Sequence, residues 1–194
     1  FLPVWSMGAR WNMINEPWMQ QQNWMSDMAL RLSYGWQGNA VENYGPQLVA
    51  RIPSNPIDNR TGEYILNIRS LAYPDLRWER TNTWNIGLDL GFWHNRIQAT
   101  LEYYHKLTPD MLVEKQVPAE YGVQSTPVNG GQMSNSGVEL SISTTLLQTK
   151  KMNWTLSLNT AKNFNNIESN IVENQNWRSA TSGAINKEGY PVRS

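Results

Sequence analysis

The chain has 194 residues, no cysteine, and 16 basic residues balanced by 16 acidic ones. Zero net charge removes the simple electrostatic case for nucleic-acid binding, and the lack of cysteine removes a disulfide framework or a thiolate metal site. No run approaches the roughly 18 consecutive apolar residues of a membrane-spanning helix, and the mean hydropathy is −0.56. The aromatic set is 10 Trp and 8 Tyr against 3 Phe, so most rings carry a polar handle. That bias suits side chains that are half apolar and half wet, as in interfacial membrane belts or sugar-binding surfaces. No signal peptide is visible, because Phe1 opens directly into an alternating segment, and the last residues read as loop. The expectation is an internal piece of a longer protein.

In chain order, residues 3–12 alternate Trp5, Met7, Ala9 and Trp11 against Ser6, Gly8, Arg10 and Asn12. A period of two predicts a strand with one greasy and one polar face. Residues 13–27 break the alternation, and Asn15-Glu16-Pro17 predicts a capped helical turn with proline near its first position. A second strand over 28–38 sets Met28, Leu30, Leu32, Tyr34 and Trp36 against Ala29, Arg31, Ser33 and Gly35. Residues 39–77 then form a long Pro-bearing excursion with a turn at Asp58-Asn59-Arg60-Thr61-Gly62. Within it, residues 63–70 predict one short strand of a protruding hairpin.

Residues 79–113 form the clearest unit. Trp84, Ile86, Leu88, Leu90 and Phe92 alternate with polar or small residues. Ile97, Ala99, Leu101 and Tyr103 do the same after a tight turn at Trp93-His94-Asn95-Arg96. A two-residue or a four-residue loop gives one register, with Leu88 opposite Leu101, Ile86 opposite Tyr103 and Asp89 opposite Thr100. Residues 114–131 predict a further loop. A strand over 133–146, a polar turn at 148–151 and a strand from Met152 complete the pattern, with loop beyond about Asn166.

Six long strands therefore alternate direction, and short connections (13–27, 93–96, 147–151) alternate with long ones (39–78, 114–132, 167 onward). That rhythm belongs to outer-membrane barrels, with short periplasmic turns and long extracellular loops. From Trp84 to Phe92 is about 27 Å at roughly 3.4 Å per residue. Tilted by about 40°, this covers roughly 20 Å of an apolar band about 25 Å tall. Trp84 and Tyr103 then sit near one headgroup belt, and Phe92 and Trp93 near the other. The predicted fold class is all-β: a segment of an antiparallel transmembrane β-barrel with lipid outside and water inside. Arg31, Asp89 and Glu102 fall on the lumen side.

The stretch Leu30-Arg31-Leu32-Ser33-Tyr34-Gly35-Trp36-Gln37-Gly38-Asn39 resembles the SusC/RagA family of TonB-linked outer-membrane transporters of Bacteroidetes. The resemblance continues in Tyr73-Pro74-Asp75-Leu76-Arg77-Trp78-Glu79, Asn85-Ile86-Gly87-Leu88-Asp89 and Asn95-Arg96-Ile97 leading to Tyr103-Tyr104. It recurs in Asn129-Gly130-Gly131-Gln132-Met133-Ser134-Asn135-Ser136-Gly137-Val138-Glu139-Leu140 and Glu188-Gly189-Tyr190-Pro191-Val192, while Arg193 stands where the family more often has a small residue. The resemblance implies a barrel of about 22 strands closed by an N-terminal plug. Residues 1–194 would then be barrel wall, with the plug and the last strands elsewhere. It further implies import of glycans, oligosaccharides or peptides, a SusD-like surface lipoprotein as lid, the TonB complex as energy source, and a possible dimer of transporter–lipoprotein pairs. A siderophore or vitamin receptor of the wider TonB-dependent class, and a soluble carbohydrate-binding β-domain, are the competing readings. The soluble domain would need a second sheet over the greasy stripe.

For chemistry, Asp89 and Glu102 are candidates for an acid/base carboxylate pair, against solvated or ion-paired lumen residues. His94 and His105 lack companion ligands, so no metal is expected, and Arg60 interrupts the faint calcium-loop pattern at Asp58. No catalytic residue and no cofactor is assigned. Binding residues collect on loops held by a rigid scaffold. Tyr44, Trp78, Tyr121, Trp177 and Tyr190 are accordingly the candidates to stack on substrate or hold a partner.

Overall fold

The computed structural model describes residues 3–39, 45–169 and 188–191. Among them, eight strands form two sheets. The long strands are β1 (Trp5–Asn12), β2 (Met25–Asn39), β5 (Glu79–Phe92), β6 (Ile97–Gln116), β7 (Ser125–Gln148) and β8 (Asn153–Ser169). They make a six-stranded antiparallel sheet in the order β1-β2-β5-β6-β7-β8. Strands β3 (Val49–Arg51) and β4 (Asn67–Ser70) pair in a separate two-stranded sheet within the long excursion.

The register is the one that alternation dictates. Leu88 opposes Leu101, Ile86 opposes Tyr103 and Asp89 opposes Thr100. The hairpin turn spans residues 93–96, because Phe92 and Ile97 are the last pair. Trp93, His94 and Asn95 all have positive φ, at 49°, 58° and 61°. Two things hold this costly backbone. Arg96 N donates to Trp93 O at 3.3 Å, and the Ser26 hydroxyl accepts from His94 N at 2.6 Å and Asn95 N at 3.3 Å.

Several boundaries move from their predicted places. β2 begins at Met25, before a bulge at Met25/Asp27, and β8 continues to Ser169. The largest change is in the expected 114–131 loop. Strands β6 and β7 run through most of it, leaving residues 117–124 with a 3-10 turn at Ala119–Tyr121. Pro127 and Gly131 did not stop β7, because residues 125–131 pair with β6 alone. A strand with one open edge tolerates a missing donor. The predicted strand over 63–70 shrinks to β4, and its partner β3 was not foreseen. The predicted helical turn becomes a 3-10 turn at Met13–Asn15 without an Asn12 side-chain cap. One further turn follows, in which Glu16 O accepts from Met19 N and Gln20 N. The Asp58 segment is a turn: Arg60 N donates to Asp58 Oδ1 at 2.8 Å and Gly62 N to Asp58 O at 2.7 Å.

This fold has almost no core. Among the described residues the buried apolar side chains are Met19, Ala29, Pro127 and Ile167. The chain exposes 14350 Å², where a compact soluble monomer of 22.3 kDa exposes roughly 9,400 Å². The greasy face of one open sheet contributes to the excess: Trp11, Leu32, Ile86, Leu101, Leu156 and Leu158 are all exposed. No second sheet covers them among the described residues. A soluble β-domain buries such a stripe; a lipid-facing wall leaves it out.

Rings gather at the ends of that face. Trp24 stacks on Phe92 at 5.6 Å, and Phe92 meets Trp93 at 6.1 Å. At the other end Trp84 meets Tyr103 at 5.3 Å and His105 at 5.6 Å, and Trp5 meets Tyr34 edge-on at 5.5 Å.

Candidate functional site

The opposite face is a run of cross-strand polar rungs. Pairing sets Arg10, Arg31, Gly87, Glu102 and Glu139 side by side across five strands. The next rung places Ala29, Asp89, Thr100 and Ser141 together. The three predicted lumen residues therefore converge. Arg31 Nε donates to Asp89 Oδ2 at 2.9 Å and its Nη2 to Asp89 Oδ1 at 3.0 Å, the two-pronged geometry specific to guanidinium and carboxylate. The same Nη2 reaches Glu102 Oε1 at 2.6 Å. Thr100 Oγ1 donates to Asp89 at 3.3 Å.

Two partners went unassigned at the level of sequence. Arg10 brings a second guanidinium to Asp89 at 3.4 Å and anchors its own Nε on Asn12 at 2.9 Å. Gly87 lies beneath the Arg31 head group, where a Cβ would stand 3.0 Å from Nη2. Without a side chain at Gly87, Arg31 lies flat across β5 and reaches both carboxylates; a Cβ would make the guanidinium give by a few tenths of an ångström. The next strand repeats the device. Gly137 lies under the Tyr104 ring, with a Cβ position 2.6 Å from Cε1, and Tyr104 reaches across to Asn163 Oδ1 at 2.9 Å. The signal was present in sequence as strand glycines with a long polar residue one pairing away. It becomes legible only once the register is known.

This chemistry is that of a wetted wall. The Arg31 guanidinium lies between Asp89 and Glu102 and is ion-paired with each. The surrounding hollow has a volume of about 550 Å³ and is lined by Arg10, Arg31, Ser33, Asn85, Glu102 and Glu139. It offers donors and acceptors to water or to a passing polar solute.

The loop candidates sit on separate supports. Trp78 is exposed at the foot of β5, between Arg77 and Glu79. Tyr121 is exposed at the tip of the β6–β7 hairpin, in the 3-10 turn. Tyr190 belongs to a short segment held on β8, where Ile167 N donates to Tyr190 O at 3.0 Å and Gly189 N to Ile167 O at 2.8 Å. Tyr44 and Trp177 lie outside the described residues.

A family profile described as TonB dependent receptor-like, beta-barrel matches residues 3–193. The chain belongs to that family. Such receptors are outer-membrane proteins, which accounts for the open greasy face. A TonB-dependent receptor of Formosa agariphila is 33% identical over 163 residues, covering 84% of this chain and 16% of that protein. The receptor SusC of Bacteroides thetaiotaomicron is 33% identical over 171 residues, covering 84% of this chain and 17% of its own length. Among solved structures, the RagAB peptide importer in its closed-closed state superposes with a TM-score of 0.76 at 30% identity, over 96% of this chain and 20% of that one. The RagAB peptide transporter gives 0.70 at 34% identity, over 84% and 18%. The chain thus spans about one sixth of the length of the curated receptors it matches.

Proposed function

We propose that this chain is wall and extracellular rim of a SusC-like importer that brings glycans, oligosaccharides or peptides across the outer membrane. The observation that carries the proposal is a single sheet with a bare apolar face and an ion-paired polar face. A barrel needs the first toward lipid and the second toward a wet lumen. The relatives support import: SusC is a TonB-dependent receptor, and RagAB is a peptide importer. In this reading residues 1–194 are part of a barrel of about 22 strands. A plug and the remaining strands belong to the rest of the protein. A SusD-like lipoprotein covers the extracellular rim, and the TonB complex acts through a segment outside this chain. Two transporter–lipoprotein pairs form a dimer, which native mass measurement distinguishes from a single pair. Exposed Trp78, Tyr121 and Tyr190 fit contacts to sugar rings or to the lid.

The test is uptake by the intact bacterium of labelled oligosaccharides, peptides and ferric siderophores, with and without the full-length gene and with and without TonB. TonB-dependent uptake of an oligosaccharide or peptide that disappears with the gene is the expected result. Loss of siderophore uptake alone would move the protein to the metal-chelate class.

A further inference from the structure

We propose that two motifs at the rim end of the sheet, Tyr73-Pro74-Asp75-Leu76-Arg77-Trp78-Glu79 and Asn129-Gly130-Gly131, form a side-chain clasp. The clasp joins the long 45–78 excursion to the β6–β7 hairpin, so that both stand on the barrel rim as one unit.

The sheet forks toward the rim. Strands β5 and β6 pair from Phe92–Ile97 up to Asn82–Leu107 and no further. Beyond that point β5 keeps its ladder with β2, as far as Asn39–Glu79. Strand β6 keeps its ladder with β7, as far as Gln116–Ser125. The fork sits at Pro109-Asp110. Proline has no N–H for a ladder, the β6–β7 register shifts between Thr108 and Met111, and Asp110 has φ of 55°. The two halves of the rim therefore lose their main-chain connection where the chain leaves the membrane band.

Side chains replace the missing ladder. Asn129, only 8% exposed, presents its amide to Arg77 as a strand neighbour would. Its Oδ1 accepts from Arg77 N at 3.0 Å, and its Nδ2 donates to Arg77 O at 3.0 Å. The same Nδ2 donates to Asp110 O at 2.9 Å, which fixes the irregular bend of β6. Glu79 makes a second bridge: Oε1 accepts from Leu112 N at 2.8 Å and Oε2 from Asn39 Nδ2 at 3.0 Å. The Thr81 and Thr108 hydroxyls meet at 2.8 Å, and the Arg77 guanidinium lies 3.2 Å from Asp110 Oδ1. Farther out, the Ile68 side chain of β4 packs on Gly122 at the hairpin tip.

The residue types follow from the task. A carboxamide offers donor and acceptor in one plane and so imitates a peptide group. An aspartate in its place lacks the donor, and an alanine lacks both. Trp78 lies between clasp residues Arg77 and Glu79, and Tyr121 adjoins Gly122. The clasp therefore sets two exposed aromatic side chains on one support. This inference concerns how the rim is built and does not depend on the cargo proposed above.

Hydrogen exchange on the full-length protein in lipid nanodiscs tests it. Asn129→Ala is expected to speed exchange at Arg77 and through residues 67–78 by about tenfold or more, since all three bonds of the amide are lost. Asn129→Asp, which keeps one acceptor, falls between Asn129→Ala and wild type. Glu79→Ala speeds exchange at Leu112 and supplies the test if Asn129→Ala fails to insert. In each variant the β5–β6 ladder over residues 84–103 stays at its wild-type rate. Unchanged exchange on the 67–78 segment and at Leu112 overturns the clasp. So does an equal loss of protection across the ladder, which would mark these residues as part of general stability.

Discussion

Leu101→Arg tests the direction in which the sheet faces. Leu101 is exposed and opposes Leu88, which lies four residues from both Trp84 and Phe92. At roughly 3.4 Å per residue and a tilt of about 40°, Leu88 and Leu101 stand about 10 Å from either ring of aromatics, close to the bilayer midplane. Arginine on the lipid face at that depth costs about 2–4 kcal/mol, or roughly 30- to 900-fold in a folding equilibrium at 1.36 kcal/mol per tenfold. Ser141 provides the control. It pairs with Thr100 at nearly the same depth, is exposed, and belongs to the polar face. Ser141→Arg should change stability by no more than about 0.5 kcal/mol. The assay is urea-dependent folding of the full-length barrel into phospholipid vesicles, followed by protease protection. Equal costs for the two variants, or a larger one for Ser141→Arg, would show that the apolar stripe does not face lipid.

Arg31→Met leaves Asp89 beside Glu102 without the guanidinium between them. It should lower the urea midpoint by the equivalent of about 1–3 kcal/mol, and Arg31→Lys should restore only part of it because an ammonium lacks the two-pronged fork. Gly137→Ala drives a methyl into Tyr104 and Asn163. A loss of about 1–3 kcal/mol is expected, and adding Tyr104→Ser should recover most of it; no recovery would refute the steric account. In the hairpin turn, His94→Gly should be neutral or stabilising, whereas His94→Val should cost about 1–2 kcal/mol at a φ of 58°. Thermal unfolding of the two variants side by side decides this.

Most of the wall was legible in the sequence. A strand repeats every two residues, so Trp84 to Phe92 and Ile97 to Tyr103 announce their two faces and, through the turn at 93–96, their register. A greasy stripe also has only two fates in a β protein, a second sheet or lipid, and the alternation of short and long connections chose between them. What alternation does not carry is the identity of a neighbour on another strand. The placement of Gly87 beneath Arg31 and the passage of Tyr104 over Gly137 each depend on a strand pairing, and the second guanidinium that Arg10 brings to Asp89 depends on two. The rim was less legible still. Its strands β6 and β7 continue through proline and glycine because one open edge tolerates the missing donor. Its fork is closed by Asn129 and Arg77, 52 residues apart. Local periodicity determined the faces of the wall, because side-chain direction in a strand is set by the backbone of that strand. Only tertiary structure decided the polar rungs and the rim, because each of those bonds needs partners that separate strands deliver.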